Sequence, residues 1–387
     1  MSSIAFQRLI DKYIGNIICF LIGTPLLIIS FFTPKKTINE IIPKRILVIK
    51  LWAIGESILT LPMIHTIKSK FPNSEIIVLA RNYNKEAYLD NKDISEVILA
   101  EPNYLFQIFS LVRSFDLVFD CEPYFRISAI LSWWLGKRRI GFDHTIRSLL
   151  YTDKIKYNDK QHVVKTHLDL AKVINANYEA DKLIELSYSE KDLDFAKEFL
   201  KKSKVNKNDL LIGLSPSVAY SAKSRMWPIE NYSELASKLI EKYKAKIIFV
   251  GAKNDKNLIE QIISKIYISY SNNTVNAAGE LNLKQFFALS TLLDLMISND
   301  SGPMHISAAQ GIPTIGLFCP NTPVRFAPYG KNKYGKENVS IYKPIFNQPC
   351  INVHEGQIPN CNNHDHMSKI TVSDVFDAAE VFLKNIK

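Results

Sequence analysis

From Arg45 onward the chain alternates short runs rich in Ile, Val and Leu with longer amphipathic ones: RILVIKL, ESILTLPMIHTIKSKF, SEIIVLA, and later FDLVFDC and RISAILSWWLG. Strand, helix and strand at this spacing join into parallel sheet, because a parallel pair needs a crossover long enough to hold a helix. The alternation resumes after the Lys-rich stretch KKSKVNKND at 201–209, with LLIGLSP, NYSELASKLIEKY, KIIFVGA, LDLMISND and MHISAAQGIPTIGLF. Two such sets in 387 residues predict two α/β domains, at 45–200 and 210–387 with 201–209 as the linker, since a single core stops growing at roughly 250–300 residues. Ligands are expected at the carboxyl ends of the strands and between the domains.

Residues 1–44 stand outside this pattern. IGNIICFLIGTPLLIISFF, residues 14–32, carries no charge and approaches the length that crosses a bilayer. It predicts a membrane-associating helix that either spans the membrane or half-inserts, bent at Thr24-Pro25. A cleaved signal peptide fits poorly, because no small-x-small site follows. Arg8, Asp11 and Lys12 precede the segment and Lys35, Lys36, Lys44 and Arg45 follow it, which favours a cytoplasmic body.

The net charge of +10, from 48 basic and 38 acidic residues, is spread along the chain and suits anionic partners. No zinc-finger spacing, aromatic RNA-binding motif or basic helix repeat is present, so nucleic acid is not expected. Five scattered cysteines do not make a disulfide scaffold and point to a reducing compartment. Cys350, His354, Cys361, His364 and His366 have the residue types to surround zinc. The lack of a C-x-x-C pair favours an ordinary polar loop, and no metal is expected.

Three βα turns carry possible chemistry. The first, IKLWAIGESILTLP, has only Gly55 and is not a G-x-G-x-x-G dinucleotide loop. Glu56 there either complements a helix dipole or serves as a general base toward a substrate hydroxyl. In the second, SNDSGPMH, Gly302 admits a ligand to the backbone, Pro303 suits a first helical turn and the free N–H groups favour an anion; Asp300 and Ser301 are equally suited to capping. His305, one turn on, either reaches that ligand or sits in a polar pocket. In the third, SPSVAYSAKSRMWP, Lys223 and Arg225 either clamp a diphosphate or form a plain basic loop.

Together SNDSGPMHISAAQGIPTIGLF with NTPVRFAPYG, ILVIKLWAIGESILTLPMI and RMWPIENYSELASKL resemble glycosyltransferase family 9, the lipopolysaccharide heptosyltransferases and their relatives, over most of residues 45–380. The resemblance implies a GT-B fold: two Rossmann-like domains with parallel sheets facing across a cleft, the N-terminal one for the acceptor and the C-terminal one for the nucleotide sugar. It implies inverting transfer without metal or cofactor, with ADP-heptose as donor; the hydrophobic N-terminal segment, a departure from the best-known members, suits a lipid-linked lipopolysaccharide or related glycan as acceptor at the cytoplasmic face of a bacterial inner membrane. By the same resemblance Glu56 falls on the catalytic base, where the family usually has Asp, and Arg225 on a Lys that holds the donor phosphates. Asp300, Ser301, Gly302 and His305 fall on the donor-sugar motif and Asp255 on the ribose-binding acid, while Lys50 and Gly55 line the acceptor side of the cleft. The competing readings are an epimerase or hydrolase acting on a nucleotide sugar alone, for which a membrane segment has no use, and a non-catalytic sugar-binding partner.

Overall fold

A computed structural model of the protein describes residues 3–32, 38, 42–176, 181–344 and 364–384. The chain divides into two units, with the boundary between Glu179 and Ala180. The first begins with α1 (Ser3–Phe32), a single helix that runs through Pro25, where the Thr24 hydroxyl donates to the Phe20 carbonyl at 2.8 Å. By length and composition, Gln7–Phe32 suffices to cross a membrane.

The elements β1 (Arg45–Ile49), α2 (Ile54–Ile58), α3 (Leu61–Lys70), β2 (Glu75–Ala80), β3 (Glu96–Leu99) and α4 (Leu105–Ser110) follow. They lead to β4 (Phe115–Asp120), α5 (Arg126–Leu135), β5 (Gly136–Phe142), β6 (Asp153–Ile155) and α6 (Val163–Lys172). All strand pairs are parallel and the order is β3-β2-β1-β4-β5-β6. The buried Ile, Leu and Val of β1, β2 and β4 hold the sheet centre. Leu47, Ile49, Leu79 and Val118 pack with Ile108 of α4 and Leu135 of α5 on one face.

The amphipathic run after β1 forms two helices rather than one, and Pro62 supplies the reason. It lies in the first turn of α3, has no N–H to continue a helical ladder and is tolerated only near a helix start. The Thr60 hydroxyl closes the intervening turn on the Ser57 carbonyl at 2.6 Å.

The second unit contains α7 (Glu190–Lys202), β7 (Leu211–Ser215), α8 (Ile229–Tyr243), β8 (Lys246–Phe249), α9 (Lys256–Ser264), β9 (Thr274–Asn276) and α10 (Leu283–Thr291). It continues with β10 (Leu295–Asn299), α11 (Gly302–Ala309), β11 (Thr314–Phe318), α12 (Pro323–Phe326), β12 (Val339–Tyr342) and α13 (Val372–Leu383). Its six strands are parallel in the order β12-β11-β10-β7-β8-β9, the same winding as the first sheet. Capping boxes start α7 (Ser189 with Asp192), α10 (Asn282 with Gln285) and α13 (Thr371 with Asp374). Each such cap satisfies end N–H groups that would otherwise lack partners. Residues 201–209 end α7 and lead into β7 inside this unit, with Ala196 and Leu200 of α7 packed against Leu289 and Met296.

In sheets wound this way the chain reverses its direction of growth between the first and fourth strands, leaving a crevice at their carboxyl ends. The two switch points lie between β1 and β4 and between β7 and β10. The three turns singled out above therefore converge on them: IKLWAIGES follows β1, SPSVAYSAKSR follows β7 and NDSG follows β10.

Candidate functional site

At the switch point of the first sheet Lys50 immediately follows β1 and its side chain is fully buried. Its ammonium donates to Glu56 at 2.7 Å and to Glu122, two residues beyond β4, at 3.3 Å. A buried ammonium is tolerated only when such partners replace water. Burial pulls the Lys50 pKa down, but the charges of Glu122 and Glu56 outweigh it and hold it well above the ordinary lysine value. Gly55 is buried at the start of α2, and α2 has no side-chain cap bond. The Glu56 carboxylate is thus engaged by Lys50, with 17 % of its side chain exposed.

Glu122 is a residue that the sequence reading passed over. Its Oε1 accepts from the backbone N–H of Leu51 at 2.6 Å and of Trp52 at 2.9 Å, so it shapes the turn that presents Glu56. A further buried layer secures it. Arg147 donates to the Glu122 carbonyl and to Asp120 Oδ2 (2.6 Å), and the Tyr151 hydroxyl donates to the same Asp120 oxygen at 2.7 Å. The only signal in the sequence was the position of DCEP just past a strand that proved to neighbour β1. A β-carbon on Gly141 would stand 2.4 Å from Cζ of the Tyr151 ring. Gly141→Ala is therefore expected to cost about 1–3 kcal/mol through overpacking, measured by urea denaturation; a neutral substitution would show that this layer yields.

Burial pushes the Glu122 carboxyl up to about 6, with Lys50 opposing the rise and Glu56 adding to it. An acid whose folded pKa lies above its unfolded value binds protons more tightly when folded. Its contribution to stability is greatest below the unfolded pKa of 4.5 and declines as pH rises through about 6. The stability of the native protein relative to Glu122→Gln should accordingly fall by about 2 kcal/mol from roughly pH 4 to pH 7. Denaturation curves of both proteins at the two pH values check this, and a difference that does not vary with pH contradicts it.

At the switch point of the second sheet Asn299, the last residue of β10, is fully buried. It accepts from the Trp227 backbone N–H at 3.2 Å and donates to the Pro216 carbonyl at 2.8 Å. These bonds tie the β7 loop to the β10 turn. Trp227 is itself buried, donating its indole N–H to the Ile370 carbonyl at 2.8 Å. The loop leading to it ends in a 3-10 turn, Tyr220–Arg225, which brings Arg225 Nη1 to 3.1 Å from Asp300 Oδ2. The same carboxylate oxygen accepts from Asn321 at 2.7 Å.

Ser301 is the N-cap of α11 but makes no side-chain cap bond; its hydroxyl lies 3.2 Å from that of Ser298. Gly302 begins α11 and His305 is buried in its first turn. Arg225 Nε and Ser215 Oγ, both buried, have no hydrogen-bond partner among the described residues. Buried polar groups are ordinarily satisfied, so these two atoms are suited to a ligand. Arg225, Asp300, Ser301, Gly302 and His305 therefore share one locality. Lys223 is exposed on the same turn. Asp255 lies apart, beyond β8, where its carboxylate accepts from the Ala252 N–H at 2.7 Å and closes its own turn.

Among the described residues no group of three or more His, Cys, Asp or Glu is arranged to hold a metal ion. The tail group considered above falls largely outside them, at Cys350, His354 and Cys361. Cys19, Cys121 and Cys319 are buried.

The sequence model of glycosyltransferase family 9 (heptosyltransferase) matches residues 109–354. The lipopolysaccharide core heptosyltransferase OpsX of Haemophilus influenzae is 29% identical over 299 residues, covering 74% of this chain and 82% of that protein. Among solved structures, the family 9 glycosyltransferase of Veillonella parvula superposes with a TM-score of 0.73 at 23% identity, over 88% of this chain and 97% of that one. The E. coli ADP-heptose lps heptosyltransferase II superposes at 0.70 with 20% identity, over 88% and 98%. These neighbours share the two α/β units of the GT-B type.

Proposed function

As the chain belongs to glycosyltransferase family 9 and is a glycosyltransferase, we propose that it transfers heptose from ADP-heptose to a lipid-linked lipopolysaccharide acceptor, with inversion and without a metal ion, at the cytoplasmic face of a bacterial inner membrane. In this reading the first unit binds the acceptor and the second binds the nucleotide sugar. The observation that carries it is the placement of Arg225, with its buried unsatisfied Nε, beside Asp300 and the start of α11 at the second switch point. A guanidinium and free helix N–H groups in one locality answer the charge of a diphosphate.

Glu56 takes the proton of the acceptor hydroxyl as its oxygen bonds to the anomeric carbon. The bond from that carbon to the diphosphate oxygen breaks, and ADP leaves with the electron pair. Arg225 and the α11 N-terminus meet the negative charge that grows on the leaving group. Lys50 and Glu122 hold Glu56 in position. Asp255 serves the ribose and Asp300, Ser301, Gly302 and His305 the donor sugar and phosphates, while Gly55 lets the acceptor approach the β1–α2 turn.

The test is incubation of the purified protein with ADP-heptose and a lipid-linked core acceptor lacking heptose, in the presence of EDTA. Heptose of inverted anomeric configuration on the acceptor, with release of ADP, is expected. An ADP-sugar altered without any acceptor would instead indicate the epimerase or hydrolase, and transfer abolished by EDTA would contradict the metal-free part.

A further inference from the structure

The sequence left α1 free to span a membrane or to lie in it, and its packing separates the two. Arg8, Asp11, Gly15, Cys19, Gly23 and Leu26 recur at three- and four-residue steps and form one face, turned toward the first unit. Both Asp11 carboxylate oxygens accept from the Arg126 N–H at 3.1 Å, and one of them also accepts from Ile127 at 2.9 Å. A side chain of α1 thereby caps the first turn of α5. A β-carbon on Gly15 would lie 2.6 Å from that of Arg126, and one on Gly23 would lie 2.4 Å from that of Leu149, so the backbone approaches too closely for any larger residue. Cys19 packs between them with Ala129, Leu150 and Tyr151. This contact spans about 27 Å at 1.5 Å per residue. A helix held along that length against a polar domain cannot also cross a hydrocarbon layer about 30 Å thick.

The opposite face is no ordinary water-facing surface. Tyr13, Ile14, Ile17, Phe20, Leu21 and Ile28 are each between 52% and 65% exposed. Further exposed apolar side chains are Ile127 (46%) on α5, which packs against α1, and Phe106 (88%) and Phe109 (52%) on α4, which packs against α5. α4 and α5 are joined where the Trp134 indole donates to the Phe109 carbonyl at 3.2 Å. Six large apolar side chains exposed along one helix mark an interaction site.

We propose that α1 is a monotopic anchor: it lies flat in the headgroup–acyl boundary of an anionic phospholipid layer, with Phe106 and Phe109 of α4 as a second contact. Charge selects this occupant over a protein. No charged residue occurs from Tyr13 to Phe32, whereas Lys12 before the segment and Lys35, Lys36 and Lys44 after it, in a chain of net charge +10, match headgroup phosphates. The inference rests on the membrane part of the proposed function and is independent of the transfer chemistry.

The test uses the full-length protein with an N-terminal epitope tag. In inner-membrane preparations, protease is expected to remove the tag from inverted vesicles and to spare it in intact spheroplasts; removal in spheroplasts would mean a spanning helix and overturn the proposal. In flotation assays the protein should bind vesicles of phosphatidylglycerol and phosphatidylethanolamine. The double variant Ile17→Asp/Phe20→Asp should lower the bound fraction at least tenfold and Phe106→Asp should lower it less. Vesicle binding unchanged in the double variant, or a stable dimer in gel filtration with no vesicle binding, would overturn it as well. Heptose transfer to a lipid-free core oligosaccharide, measured in parallel, reports on the transfer reading separately and should survive in both variants.

Discussion

Glu56→Gln should leave the affinity for ADP-heptose nearly unchanged while the transfer rate falls by about 10²–10⁴-fold, the range that general acid–base catalysis contributes. The amide keeps the size of the side chain and can still accept from Lys50, whose ammonium lies 2.7 Å from the carboxylate and is also held by Glu122. The turn that carries residue 56 should survive too, because its two N–H bonds go to Glu122 rather than to Glu56. What the variant loses is the basic oxygen. Single-turnover transfer with donor binding measured by calorimetry separates these effects, and a variant with full transfer activity would remove Glu56 from the chemistry. Glu56→Asp, the shorter acid usual in the family resembled, should retain more activity than the amide.

Arg225→Ala should weaken donor binding and turnover together, with turnover falling by about 10²–10³-fold, as when a preorganised donor to a developing negative charge is removed. The guanidinium makes an ion pair with Asp300 at 3.1 Å while its Nε remains unsatisfied, so one edge is anchored and another is available to a phosphate oxygen. Asp300 keeps its bond from Asn321 at 2.7 Å in the variant, which limits damage to the fold. Arg225→Lys should restore part of the rate, because the charge returns without the planar fork. Kinetics and ADP-heptose titration of the two variants check this; unchanged affinity and rate in the Ala variant would place Arg225 outside the donor site.

The parallel α/β character was legible because strands buried on both faces are rich in continuous apolar residues, as ILVI of β1 and LMI of β10 are, and the helices between them are amphipathic. The βα turns were legible for a similar reason: Gly, Pro, Ser and Asp just past such a run mark a strand's carboxyl end. Glu122 was not legible. Its part depends on β4 lying beside β1, with Asp120 in register with Ile49, and strand order is a pairing between segments roughly seventy residues apart. The division of the helix at Pro62 was available in the sequence, but the apolar periodicity on either side of the proline concealed it.

The sequence by itself determined the periodicity, the turns rich in Gly, Pro, Ser and Asp that follow the strands and the apolar character of residues 14–32, all of which are properties of neighbouring residues. Only the tertiary structure decided which strand ends meet, and therefore that Lys50 is shared by Glu56 and Glu122 and that Arg225 stands beside Asp300. It also decided which face of α1 is covered. Hydropathy sums over a segment and is blind to direction, whereas the Asp11 cap on α5 and the close approaches at Gly15 and Gly23 turn one side of that helix toward the protein and leave the other to its surroundings.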